Sequence, residues 1–217
     1  MDWRKMRRLP IIKDISILTS AHIIPTIIAA GFWFYIASLV GEAHYGEITY
    51  YLTIAGIASG ITMLGVPEAL NVYAAKGERI LPAISVIVFT TSAIGAVTVY
   101  LIFHNSGASI HVFSYVIFAL ITAEFLGRKL FKTYMKITII QKSLMAFLAI
   151  MFYYIIGIDG IILGIALSFI PFIALYFKEF KNNKISFADL KPKKKFILNS
   201  YLLQFSRMFA SSLDKII

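Results

Sequence analysis

At 217 residues, the chain is 59% hydrophobic and only 15% charged. A soluble domain of that composition would lack the polar surface to cover itself, so lipid has to be its solvent. Cysteine is absent, which excludes disulfides and thiolate metal or redox sites. The net charge of +10 sits in short gaps between apolar runs, which argues against nucleic acid as a partner.

The fold class is all-α: a polytopic membrane helix bundle of six transmembrane helices and a partial seventh. A helix needs about 20 apolar residues to cross a bilayer core. The N-terminal tail, 1–14, is basic and is followed by a first span over 15–40, too long for a signal peptide. The second span is 48–73, free of charge until Glu68. Residues 80–123 contain no Asp, Glu, Lys or Arg. A turn at 104–109 divides this stretch into spans at 81–103 and 110–127. The fifth span is 137–157, with Lys142 near its start, and a turn at 158–160 leads to the sixth, 161–177. A basic linker, 178–195, precedes the seventh, which starts near Phe196 and runs to Ile217. The domains are thus the tail, a lobe over 15–177, the linker, and the start of a second lobe at 196–217.

Lys and Arg between the spans fall only in alternate gaps. Lys76 and Arg79 lie in the second, Arg128, Lys129, Lys132 and Lys136 in the fourth, and seven lysines in the sixth. The positive-inside rule then predicts a multi-pass protein of the cytoplasmic membrane with a cytoplasmic N-terminus. The linker could bind anionic membrane lipids, but the same rule accounts for its charge without that role.

No nucleotide loop, metal-ligand spacing or nucleophile motif is present, so no cofactor, no metal site and no enzymatic activity is expected. Polar residues within spans remain. On the seventh, Ser200, Gln204, Arg207, Ser211, Asp214 and Lys215 share an arc of about 100°. Such a stripe needs a cavity, a partner helix or the interface; lining a translocation path is one reading, an Arg207–Asp214 link or a surface-lying helix the others. His22 and Thr26, with Thr19, follow helical spacing around Pro25 in the first span. His22 is a candidate proton site or an interhelical hydrogen-bonding partner. Glu68 and Glu124 are candidate ion-coupling carboxylates, with a structural Glu124–Arg128 pair as the simpler reading of the second. Thr49, Thr53, Gly56 and Gly60 on the second span, and Gly160, Gly164 and Ser168 on the sixth, form small-residue faces suited to close packing.

Three short segments resemble a known family. Leu39-Val40-Gly41-Glu42-Ala43-His44-Tyr45-Gly46-Glu47 is similar to the Leu-Gly-Pro-x-x-Tyr-Gly turn of polysaccharide-biosynthesis flippases. Leu64-Gly65-Val66-Pro67-Glu68-Ala69-Leu70 resembles their Leu-Gly-x-x-x-Ala segment, and Asp214-Lys215-Ile216-Ile217 the motif that opens their second half. The resemblance implies membership of the multidrug/oligosaccharidyl-lipid/polysaccharide exporter superfamily, with two similar lobes around a cavity. It implies alternating-access transport of polyprenyl-linked oligosaccharide for polysaccharide biosynthesis, coupled in many members to an ion such as H+ or Na+. The partners would be lipid-linked oligosaccharide, membrane lipids, and a C-terminal lobe or a second copy; the chain would be a fragment. The chain departs from the pattern at Glu42-Ala43-His44. The alternatives are an ion-coupled multidrug antiporter of the same superfamily, a transferase acting on lipid-linked sugars, and a non-transporting half-length membrane protein.

Overall fold

The computed structural model describes residues 10–181 and 188–213. Among them every regular element is helical. Five helices are long and apolar enough to cross a membrane. Exposed Ile94, Val97, Leu101, Ile102, Phe147 and Ile155 on their outer faces are those a lipid solvent accepts without cost.

The first helix, α1, runs Pro10–Thr62 and is broken at Gly41, whose φ of 75° and ψ of 172° suit glycine and strain other residues. The break reverses the chain: the Trp33 and Tyr45 rings lie 5.9 Å apart, whereas 12 positions along a straight helix would separate them by about 18 Å. The expected loop at 41–47 is thus a single residue, and the helix resumes at once. The inner end of the predicted second span also differs. The helix stops at Thr62, Leu64 and Gly65 take positive φ of 52° and 68°, and a short helix, α2 (Val66–Ala75), follows with Pro67 in its first turn.

Helix α3 covers Leu81–Phe103, as the sequence predicts. Asn105 then caps α4 (Ser106–Gly127), its Oδ1 accepting from Ala108 N at 2.8 Å. The expected six-residue turn shrinks to two residues, because the small polar residues after Asn105 form the first turn of α4. Ser109 ties the hairpin shut by donating to Ala96 O at 2.7 Å. The end of α4 is closed by Lys129 at φ 58°, with Leu130 N bonded to Phe125 O (2.9 Å) and Lys129 N to Leu126 O (3.1 Å), a Schellman arrangement with lysine where glycine is usual.

Helix α5, Phe131–Ile156, therefore begins six residues earlier than expected. After Gly157, α6 (Ile158–Leu167) gives way at Pro171 to a 3-10 turn (Ile170–Phe172) and to α7 (Ile173–Lys181). A second 3-10 turn, Ala188–Lys193, leads into α8 (Lys194–Leu213).

Helix α4 is the centre of the bundle: 61% of its most apolar stretch is buried, against 17% for α3 and α5. Close approach at small residues holds it. A Cβ on Gly107 would stand 3.0 Å from Leu163 N, and one on Gly127 would stand 2.4 Å from Asn71 O. The small-residue face of α6 packs as expected, Gly160 against the Phe152 carbonyl and Gly164 against the Ala149 backbone. On the second arm of α1, Thr53 and Gly56 of the expected face are exposed, and nothing lies within 4 Å of where a Gly56 Cβ would be. The glycines that bring α3 and α4 against neighbours are Gly95, at Thr62, with Gly107 and Gly127.

Candidate functional site

The first arm of α1 runs parallel to α5. Ala21 meets Thr138, and further along Tyr35 Oη lies 3.2 Å from Tyr154 Oη. Pro25 has no N–H for the carbonyl of Ala21, one turn back. Thr138 Oγ1 lies 3.5 Å from that oxygen, although its proton has nearer acceptors at Met135 O (2.9 Å) and Tyr134 O (3.0 Å). The first arm of α1, together with α2, α4 and α5, borders a cleft whose walls mix polar and apolar side chains.

The cleft has two chambers of about 390 Å³ each, which share Tyr115, Phe118, Tyr134 and Thr138 as walls. Both volumes fall within the range of small-molecule sites. The first chamber adds Glu68 and Asn71 from α2 and Thr122 and Leu126 from α4. The second adds His22, Pro25 and Thr26 from α1, Gln141 and Lys142 from α5, and Phe169. From Tyr115 to Leu126 the cleft follows α4 for about 16 Å at the helical rise.

Its back wall is aromatic and rigid. Tyr115 stacks on His111 with centroids 5.7 Å apart and meets Phe169 edge-on at 5.5 Å; Phe118 meets Phe172 at 5.0 Å. Gln141 is 1% exposed. Its Nε2 donates to Ser168 Oγ at 3.0 Å, and Ser168 in turn donates to Ile165 O at 2.6 Å. This chain joins α5 to α6 beside Lys142.

Two opposite charges face this space without meeting a counter-charge among the described residues. Glu68 lies in the first turn of α2, where the helix dipole favours an anion, and its Oε2 is buried with no hydrogen-bond partner. Lys142 has Met145 Sδ at 4.0 Å as its polar neighbour, a weak acceptor. The early start of α5 puts Lys142 eleven residues, about 16 Å, into its helix. The sequence reading placed it near the start of the span; the six added residues carry it to mid-helix. Lys132 and Lys136 stand on those added residues, and Lys142 beyond them lines the second chamber.

Of the residues singled out from the sequence, His22, Thr26 and Glu68 line the cleft. His22 meets the Tyr134 ring edge-on at 6.0 Å, and Thr26 Oγ1 donates to His22 O at 2.7 Å, leaving its lone pairs for the cleft. Glu124 does not border either chamber; it is fully buried and paired with Arg128 at 2.5 Å. Asp214 and Lys215 lie outside the described residues, as do the side chains of Gln204, Arg207 and Ser211 on α8. Sequence reasoning missed Tyr115, Tyr134, Asn71, Gln141 and Lys142. The signal for three of these is a helical stripe on α5: Tyr134, Thr138, Gln141 and Lys142 recur at i, i+4, i+7 and i+8.

No protein-family model, no curated protein and no solved structure matches this chain. Among the described residues no group of three or more His, Asp or Glu is placed to hold a metal ion.

Proposed function

We propose that the chain is part of a membrane transporter that flips polyprenyl-linked oligosaccharide between leaflets of the cytoplasmic membrane, with the N-terminus cytoplasmic. The observation that carries this reading is a cleft about 16 Å long, bordered by Glu68, Lys142 and several hydroxyl and amide groups, inside an apolar helix bundle. A sugar-diphosphate headgroup is too polar to enter hydrocarbon. The cleft offers it Tyr115, Tyr134, Asn71, Thr122 and Thr138 as hydrogen-bonding walls and Lys142 as a counter-charge, while its lipid tail stays in the bilayer.

Six passes follow if both arms of α1 cross. With a C-terminal lobe or a second copy opposite the cleft, rocking of one half against the other would alternate access. No bond is made or broken in this scheme, so the protein is not an enzyme.

The test is leaflet exchange of a fluorescent polyprenyl-diphosphate glycan in liposomes. The protein raises exchange well above the lipid background, and Lys142→Met lowers it about tenfold, near the value of one unmatched ionic contact. Exchange no faster than in protein-free liposomes would remove the proposal. The unpartnered carboxylate of Glu68 supports a second reading, an ion-coupled antiporter of organic cations. That reading requires Glu68→Gln to abolish cation efflux driven by H+ or Na+, with glycan exchange absent throughout.

A further inference from the structure

The cleft is not simply cationic. Lys142 stands in one chamber and Glu68 in the other, and the two chambers have Tyr115, Phe118, Tyr134 and Thr138 in common. Among the described residues no ion pair joins them, and the hydrogen-bonding partner of Lys142 is the Met145 sulfur. Elsewhere the chain does pair its charges, at Glu124–Arg128 and at Lys193–Glu78. Leaving two opposite charges apart in a low-dielectric space is costly, and a ligand that brings both counter-charges at once relieves both costs.

We infer that the cleft binds a zwitterionic headgroup, its anionic phosphate at Lys142 and its ammonium at Glu68, with the intervening atoms against Tyr115 and Tyr134. Glu68 sits in the first turn of α2, at the positive end of the helix dipole, and its carboxylate suits an ammonium group. The tyrosine faces between the charges also suit a cation passing from one chamber to the other. Phe118, shared by both chambers, and Met63 and Leu126 in the first give the walls an apolar component, which suits an amphiphile. This inference rests on the transporter reading and narrows its substrate: the carried headgroup would bear an amine as well as a phosphate.

The test uses the whole chain in nanodiscs of phosphatidylglycerol, titrated with short-chain probes of equal tail length. These are dihexanoyl phosphatidylethanolamine (zwitterionic), dihexanoyl phosphatidylglycerol (anionic) and a dihexyl ammonium (cationic). The zwitterion is expected to bind about tenfold more tightly than either singly charged probe. Glu68→Gln should bring its affinity down to that of the anion, Lys142→Met down to that of the cation, and Lys142→Arg should keep the preference. Competition by free phosphoethanolamine would identify a soluble zwitterion as the ligand; competition by the lipid alone would identify a membrane headgroup. Equal affinity for the zwitterion and the anion in the unmutated protein would overturn the inference. So would a preference that survives Glu68→Gln. If glycan exchange persists while this preference is absent, only the zwitterion inference fails; if exchange is absent too, the transporter reading fails with it.

Discussion

Lys193 Nζ lies 2.5 Å from Glu78 Oε2 and 5.1 Å above the Tyr73 ring. The two residues belong to segments more than a hundred positions apart. Their contact fastens the entry of α8 to the end of α2, where Tyr73 also meets Phe196 at 5.5 Å. Lys193 is 12% exposed and Glu78 39%. The ion pair is therefore screened and contributes about 0.2–1 kcal/mol, with the lysine–ring contact adding about 0.5–1 kcal/mol.

Because Lys193 serves two partners, Lys193→Met should destabilise the α2–α8 junction more than Glu78→Gln. Hydrogen exchange of the segment around 194–203 measures this. The Glu78→Gln effect should shrink in high salt, and the Lys193→Met effect should shrink less. Equal effects of the two changes would show that the ring contact contributes nothing.

Gly65 combines two constraints. Its φ is 68°, and a Cβ there would stand 2.3 Å from Tyr201 N. Gly41 has only the first constraint, with φ 75° and nothing within 4 Å. Gly41→Ala should cost about 1–3 kcal/mol of backbone strain. Gly65→Ala should cost more and displace α8 as well. Thermal unfolding reads the first difference, and disulfide trapping of cysteine pairs across α2 and α8 reads the second. Trapping that is undiminished in Gly65→Ala would show that the close approach is absent.

Glycines inside helices should divide by neighbourhood. A Cβ on Gly164 would stand 2.6 Å from the Ala149 backbone, whereas one on Gly56 would meet nothing within 4 Å. Gly164→Ala should separate α5 from α6 and cost more than about 1 kcal/mol, the lower end for overpacking. Gly56→Ala should stabilise by about 0.5–1 kcal/mol through helix propensity alone. Opposite signs in the shift of melting temperature are expected; shifts of one sign would contradict the packing described for α6.

Glu124 is fully buried and Arg128 partly so. Arg128→Met takes the arginine from a buried carboxylate and should destabilise by about 3–5 kcal/mol. Glu124→Gln keeps the shape, removes the charge and should cost less. Leaflet exchange by a folded Glu124→Gln protein should match that of the unmutated protein, because Glu124 lies outside the cleft; its loss would restore Glu124 as an ion-coupling residue.

Helix positions were legible because a bilayer demands long apolar runs, and α3 matches its predicted range residue for residue. Helix ends were less so. Asn105 caps α4 inside what reads as a turn, and Lys129 takes a left-handed conformation that nothing in its composition signals. The second of these lets α5 start at Phe131, eleven residues before Lys142. Glu68 reads as a carboxylate within one continuous second span, whereas it lines the cleft from α2, a separate helix that follows the positive-φ residues Leu64 and Gly65.

Composition and hydropathy alone thus determined the solvent, the helical class and the rough positions of the helices, since these depend on summed apolar length along the chain. Which charges share a space was decided by tertiary structure. Glu68 and Lys142 lie far apart in sequence on helices that each look adequately apolar, and only the parallel packing of α1 on α5 and of α2 on α4 brings them to one cleft. Side-chain convergence is set by helix ends and crossing points, and those turn on single residues such as Gly41, Gly65 and Lys129 whose effect is felt several turns away.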